Sequence, residues 1–289
     1  MRRLGRVLQL AERWLELHAG APLDPEIGRR YIAFRWDARV GPGRLIPIAE
    51  PQAVDLADLL GVERSVAELV RNTEQFVQGF PAHHVLLYGE RGTGKSSAVK
   101  GLLTRYAGRG LRLVEVHKSD LIQLPDVFAA LRGLPHRFLL FCDDLSFDEG
   151  EAGLRELKAA LDGSVEATPA HVRIVATSNR RHLVAERVGE NRAARLDDAG
   201  ELHLSEAAEE KLALADRFGL MLAFFGFNQA TYLRIVERHA AKAGLDVPRE
   251  RLHGEALRFA LRRGTRSGRT ARHFVEDLAG RLALEVGEQ

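Results

Sequence analysis

Between His84 and Phe225 the chain alternates between two patterns. Five short apolar runs, "HVLLYG", "LRLVEV", "RFLLFCDD", "HVRIVATSN" and "GLMLAFF", are separated by stretches with apolar residues at helical spacing. Those stretches are Lys95–Tyr106, Leu124–Arg132, Gly150–Leu161 and Ser205–Asp216. A continuous apolar run is a strand covered on both faces, and intervening helices act as crossovers, so the pattern predicts a parallel sheet between two helical layers. A helix expected at about Glu63–Gln78 leads into the first run. The chain before it reads differently. A helix over Leu4–Leu17 and a turn-rich "AGAPLDPEIG" precede "YIAFRWDARVGPGRLIPIAEP", which reads as strand fragments and loop broken by Gly41, Pro42, Gly43 and Pro47. After Phe225 the strands cease, and three amphipathic helices follow in "NQATYLRIVERHAAKAGL", Arg249–Leu261 and Arg269–Leu284. The expected organisation is a preamble over residues 1–52, an α/β domain over 53–226 and a helical lid over 227–289.

The first strand and the helix after it frame Gly89-x-x-x-x-Gly94-Lys95-Ser96. Glycine is costly where a regular element must be held, so its use here needs a reason. Bare backbone can curl so that several N–H groups point at one phosphate, and a helix N-terminus adds its positive end. In this pattern the Lys95 ammonium reaches the β- and γ-phosphates and the Ser96 hydroxyl ligates Mg²⁺. Gly89, Gly92, Thr93, Gly94, Lys95, Ser96 and Ser97 are therefore the candidate nucleotide contacts, with ATP or ADP and Mg²⁺ as the implied cofactors. The fold class follows: α/β, a P-loop NTPase with a three-layer parallel sheet of about five strands.

A P-loop needs an acidic partner on a neighbouring strand, and "RFLLFCDDLSF" supplies Asp143 and Asp144. Asp143 would hold the metal through water, and Asp144 would orient or deprotonate the attacking water. Asp144 also reads as a cap for the next helix. The following strand ends in Thr177-Ser178-Asn179, where the Asn179 amide could position water beside the γ-phosphate or simply cap the strand end.

Composition narrows the class without changing it. A chain of 289 residues, 45% hydrophobic and 28% charged, has ample material for a core. No apolar run approaches the roughly 20 residues a membrane-spanning helix needs. The start of the chain alternates charged and apolar residues, unlike a signal peptide. The single cysteine, Cys142, allows no disulfide and is expected to be inert packing in its strand, so the cytoplasm is the expected compartment. Net charge is only +2, too mild to imply a nucleic-acid partner by itself. The end of the chain is locally basic, however: Arg249, Arg251, Arg258, Arg262, Arg263, Arg266, Arg269 and Arg272 face only Glu250 and Glu255. That stretch reads either as a solvated helical surface or as a phosphate-facing one. The histidines at strand ends, His83, His84, His117, His136 and His171, read as solvated. Trp14 and Trp36 read as anchors of the preamble, and "RRHLV" at Arg180–Val184 reads as surface, with a partner- or nucleotide-facing role as the alternative.

Taken together, these pieces resemble the AAA+ ATPases. The resemblance implies that Asn179 is the first sensor and that Arg217, in "LADRFGL", is a trans-acting arginine finger. It implies that "RSGRTARHF" carries the lid sensor, with Arg272 fitting best and Arg269 as the alternative, and that Leu60, Gly61 and Val62 pack beside the adenine. More narrowly, "FRWD", "LLYGERGTGKSS", "LFCDDLSF", "ALDGSVEA", "IVATSNRRHLV" and "LADRFGL" are similar to the bacterial AAA+ family labelled domain of unknown function 815, from about Tyr31 to Leu278. What this implies is an ATPase working as a homo-oligomer, a ring or filament such as a hexamer, on a macromolecular client. Nucleic acid bound through the arginine-rich lid is the alternative the basic stretch leaves open, and no membrane partner is expected. Two departures stand out. The second acidic residue is Asp144 where many relatives have Glu, and "HKSDLIQLPDVF" lacks the aromatic-apolar-Gly loop of protein-threading members, which leaves Phe128 to the core.

Overall fold

In a computed structural model of the chain the described residues are 26–38, 43–145, 152–162, 168–179, 195–196, 202–203 and 217–287. The expected helices Leu4–Leu17 and Ser205–Asp216, Trp14 and Arg180–Val184 lie outside them. Seven strands form one sheet: β1 (Ala33–Asp37), β2 (Arg44–Ile48), β3 (Val85–Gly89), β4 (Leu111–Glu115), β5 (Arg137–Cys142), β6 (Val172–Ser178) and β7 (Leu220–Phe224). Their spatial order is β2-β1-β4-β5-β6-β3-β7. All neighbours are parallel except β1 and β2.

The apolar runs are strands for the reason their pattern implied. Along β5, Phe138, Leu140 and Cys142 enter the core on one face, and Leu139 and Phe141 enter the core on the other. On the second face lie α1 (Glu63–Gln78) and α2 (Lys95–Tyr106); against the first pack α3 (Leu124–Leu131) and α4 (Ala152–Asp162). Phe128 and Cys142 are buried in the first core, as expected. The lid helices are α5 (Gln229–Lys242), α6 (Arg249–Arg263) and α7 (Gly268–Gly287), around their own core of Tyr232, Val236, Ala256, Phe274 and Leu278.

Two expectations need correction. The sheet has seven strands rather than about five, because the segment read as preamble supplies two of them. Ala33–Arg35 of β1 runs parallel to Leu113–Glu115, and β2 folds back on β1. Phe34 and Trp36 are 1% and 2% exposed in the first core, and the Trp36 indole N–H donates to Gln123 Oε1 at 2.9 Å. Burial of two such side chains stabilises by about 1.5–3 kcal/mol each, enough to fix this hairpin to the sheet. The second correction concerns the histidines. His117 is exposed, but half-buried His84 accepts the Ile174 N–H through Nδ1 at 2.9 Å, and burial pulls its pKa down to about 4. His171 Nε2 meets the Leu131 carbonyl at 3.0 Å, and His136 Nδ1 is buried without a partner. Histidine's apolar ring edges make a strand end in a packed core a tolerable place for it.

Order and direction together place the site. β5, β6 and β3 are adjacent and parallel, with Leu87 level with Thr177 and Cys142 level with Ala176. The carboxyl ends of these strands therefore deliver Gly89, Asp143 and Ser178 to one edge, where ligands of open α/β sheets bind.

Candidate nucleotide site

The loop after β3 is shaped by three glycines with positive φ: Gly89 at 133°, Gly92 at 76° and Gly94 at 102°. A Cβ on Gly89 would lie 2.1 Å from the Phe224 carbonyl oxygen, so β7 passes too close for any side chain. Glu90 N–H donates to that same oxygen at 3.1 Å, which ties the loop to the neighbouring strand. Thr93 closes the loop by donating its hydroxyl to the Glu90 carbonyl at 2.8 Å. Gly94 then caps α2 in the left-handed conformation, and Ser97 lies half-buried in the first turn of that helix.

Lys95 is only 5% exposed, and its ammonium donates to the carbonyls of Gly89 at 3.0 Å and Glu90 at 2.7 Å. Burial pulls its pKa down to about 8. Asp143 and Asp144 push the other way, and Arg269 adds to the lowering. Ser96 Oγ donates to Asp143 Oδ1 at 2.7 Å, so hydroxyl and carboxylate converge as expected of a metal-holding pair.

Thr177 is the member of this site that sequence reasoning missed. Its hydroxyl donates to Asp143 Oδ1 at 2.6 Å and accepts the Asp144 N–H at 2.9 Å, fixing both acidic residues at once. Asp144 is the one non-glycine residue of positive φ, 54°, among those described, and it needs that anchor. The signal was present in "VRIVATS", a hydroxyl side chain within an apolar strand. Asn179 Nδ2 donates to Asp144 Oδ1 at 2.6 Å, so the structure joins these two candidates directly.

The lid closes the other side. Gly268 N–H donates to the Gly92 carbonyl at 2.9 Å, and Ser267 and the Arg269 Cβ stand against Gly92. Of the two lid-sensor candidates, Arg269 is therefore the one beside the loop. Arg272 instead faces Glu276, with Nε 3.5 Å from Oε1. Gly61 packs under Thr231 and Phe227 of the lid, Leu60 reaches the lid core, and Val62 is buried in the sheet core. Asp58 accepts from Arg238 Nε at 3.0 Å and from Lys242, which tethers this same segment to α5. Arg217 lies elsewhere: its Nε is 2.7 and 2.6 Å from the two carboxylate oxygens of Asp162, at the end of α4.

The residues present fit a magnesium nucleotide. Three positive-φ glycines shape the loop ahead of the α2 N-terminus, and Ser96 and Asp143 form a hard oxygen pair. Among the described residues no cluster of three or more His, Cys, Asp or Glu forms a metal cage. Mg²⁺ suits such a site because it is commonly held by one or two carboxylates with the remainder supplied by substrate phosphates and water.

The seven-stranded sheet, the glycine loop after β3 and the helical lid are those of a P-loop fold of the AAA+ type. Resemblance to solved structures agrees: the Thermotoga maritima RuvB Holliday junction branch migration motor matches with a TM-score of 0.52 at 17% identity, over 80% of this chain and 65% of that one. The FIGL-1 AAA domain in complex with ADP matches with a TM-score of 0.52 at 18% identity, over 81% and 76%. At such identities the likeness shows the fold. The chain belongs to the family described as Protein of unknown function (DUF815), whose profile matches residues 29–282. It is also 24% identical over 233 residues to the DNA replication and repair protein RecF of Rhizobium meliloti (strain 1021), and it spans 62% of that protein's length.

Proposed function

We propose that this protein is an ATPase, binding ATP with Mg²⁺ in the loop between β3 and α2 and hydrolysing it at a site completed by a second copy of the chain. The observation that carries the reading is the convergence of Lys95, Ser96, Asp143, Asp144 and Asn179 on one glycine-lined edge. Lys95 exchanges its two neutral carbonyl partners for anionic phosphate oxygens, so that both sides of the contact carry charge. Ser96 and Asp143 would hold the metal, which supplies charge neutralisation on the phosphates. Asp144 takes a proton from the attacking water and Asn179 orients that water. Arg269 serves the same nucleotide from the lid, Leu60, Gly61 and Val62 line the base pocket, and Arg217 serves the nucleotide of a neighbouring copy. The working units are the α/β domain of about residues 53–226, extended by β1 and β2, and the lid over 227–289. The energy drives loading or remodelling of a macromolecular partner in the cytoplasm. No helix among the described residues is long and apolar enough to cross a membrane. Two similar proteins carry names tied to DNA, which admits nucleic acid as that partner.

A second reading, a slow nucleotide-timed switch, is favoured by one contact. The Asn179 amide occupies the Asp144 carboxylate, and that carboxylate sits on a side chain one methylene shorter than glutamate. The amide takes up one oxygen of a base that must also reach the water, and the shorter side chain gives that base less reach.

The test is phosphate release from ATP by the full chain. Turnover is expected with Mg²⁺ and is expected to stop on chelation by EDTA; release unchanged by EDTA contradicts the assignment of Ser96 and Asp143. The pH dependence is specific. Lys95 has a pKa of about 8 in the free protein, and phosphates bind its protonated form, so affinity is full below that pH and falls above it. The dissociation constant is expected to rise toward tenfold per pH unit between about pH 8.5 and 10. In Lys95→Arg, whose guanidinium stays charged, residual affinity is expected to be flat over that window, and an equal slope in both proteins would remove Lys95 from the role.

A further inference from the structure

The basic end of the chain resolves into spent and unspent charges. Arg249 Nε donates to Glu237 at 2.7 Å, Arg251 Nε to Glu255 at 2.9 Å, and Arg281 to both Glu255 and Asp277 at 2.9 and 3.1 Å. Arg269 stands at the phosphate loop and Arg272 at Glu276. Arg258, Arg262, Arg263 and Arg266 are exposed and make no ion pair with a carboxylate among the described residues.

Arg258 and Arg262 are four residues apart on α6, hence neighbours on one face, and like charges so placed repel by a few tenths of a kcal/mol. The α6 dipole accounts for Arg262 and Arg263, both in its last turn, but not for Arg258 one turn earlier. Both Arg258 and Arg262 line a cleft of about 360 Å³ between α6 and α7, with Phe259 and Phe274 in its wall at a ring distance of 5.7 Å. The acidic residues of that cleft, Glu255 and Asp277, are already neutralised by Arg251 and Arg281 together. The guanidiniums of Arg262 and Arg263 lie 5.9 and 5.4 Å from the centre of the Phe259 ring, presenting planar cations at the rim. Such a surface offers two uncompensated positive charges for phosphates and flat groups on which an unpaired base can stack. A duplex, whose bases are stacked on each other, uses only the first of these features.

We propose that this lid cleft binds single-stranded nucleic acid, with Arg258 and Arg262 on the backbone phosphates and the Phe259–Arg263 stack against a base. The site is separate from the nucleotide loop and needs no ATP turnover to bind. It gives the partner of the proposed ATPase a chemical class and a place.

The experiment is fluorescence anisotropy of a labelled oligothymidylate with the full chain, saturated with ADP and Mg²⁺ so that the oligonucleotide cannot use the phosphate loop. Binding by the wild type at low salt is expected, weakening linearly in log–log form as salt rises. Each phosphate contact on a single strand contributes a slope of about −0.7, so Arg258→Ala with Arg262→Ala should flatten it by about 1.4 and weaken binding at least about tenfold. Arg249→Ala, which removes an arginine already spent on Glu237 outside the cleft lining, should change neither. The gentler pair Arg258→Gln and Arg262→Gln, with melting temperature and basal phosphate release measured alongside, keeps the result readable if the alanine pair is unstable. Basal phosphate release is expected to be unchanged in both pairs, so loss of oligonucleotide binding and loss of ATPase activity are told apart. No binding at low salt, equal loss in Arg249→Ala, or displacement of the oligonucleotide by equimolar inorganic pyrophosphate would each overturn the proposal, the last by showing a small-anion site.

Discussion

Lys95→Ala is expected to lose steady-state ATP turnover and at least about 10² in affinity for ATP, with the melting temperature of the free protein little changed or raised. The size follows from what the ammonium does. It is a buried cation whose partners are two carbonyls of its own loop, and hydrogen bonds to charged groups are worth about 1.5–3 kcal/mol each. In the bound state those contacts pass to phosphate oxygens, and alanine has nothing to pass. The sign of the stability effect follows from the lowered pKa. Folding holds Lys95 in a place that favours its neutral form, so between about pH 8 and the ordinary lysine value the unfolded chain binds more protons and native stability rises with pH. At neutral pH the buried charge costs the native state, and the alanine variant relieves that cost. A variant that melts far below the wild type would show instead that the ammonium braces the loop, and its lost turnover would then say nothing about phosphate.

Arg217→Ala is expected to keep nucleotide affinity and lose turnover by a factor on the order of 10³, the effect of removing an arginine that neutralises charge in a phosphoryl-transfer transition state. Arg217 is held by Asp162 at the end of α4, so its own chain presents it rather than leaving it loose. The decisive form of the experiment mixes two inactive proteins. Lys95→Ala carries an intact arginine and a dead loop; Arg217→Ala carries an intact loop and no arginine. If the arginine acts across an interface, the mixture regains turnover that neither protein has alone. No recovery under conditions where the wild type assembles, or normal turnover by Arg217→Ala alone, contradicts action in trans.

Most of the α/β architecture was legible because its signals are local. Each central strand is an apolar run long enough to cross the sheet, and the glycine loop announces itself by spacing. The first two strands were harder to read. In "AFRWD" only Ala33, Phe34 and Trp36 face the interior, and what secures them lies far along the chain, at Leu113 and Val114 in the sheet and Gln123 on the indole. No window of neighbouring residues contains that information. The same holds within the site. Arg269 and Arg272 sit three apart on one helix and look equivalent in sequence; the hydrogen bond from Gly268 to the Gly92 carbonyl separates them, and it joins two segments far apart along the chain. Thr177 reads as an ordinary strand residue until β6 pairs with β5 and brings its hydroxyl to Asp143. The basic tail was legible as composition but not as a surface, because Glu237, Glu276 and Asp277, which consume part of it, come from α5 and α7.

The central claim is that the backbone between Gly89 and Ser96 cradles the phosphates of an adenine nucleotide together with Mg²⁺. Its most direct test is a calorimetric titration of the full-length wild type with ATP and Mg²⁺ at neutral pH, using Lys95→Ala as the control. One nucleotide per chain is the predicted result, with affinity lost in the control. Heat no greater than dilution for the wild type, or equal affinity in the two proteins, would contradict it.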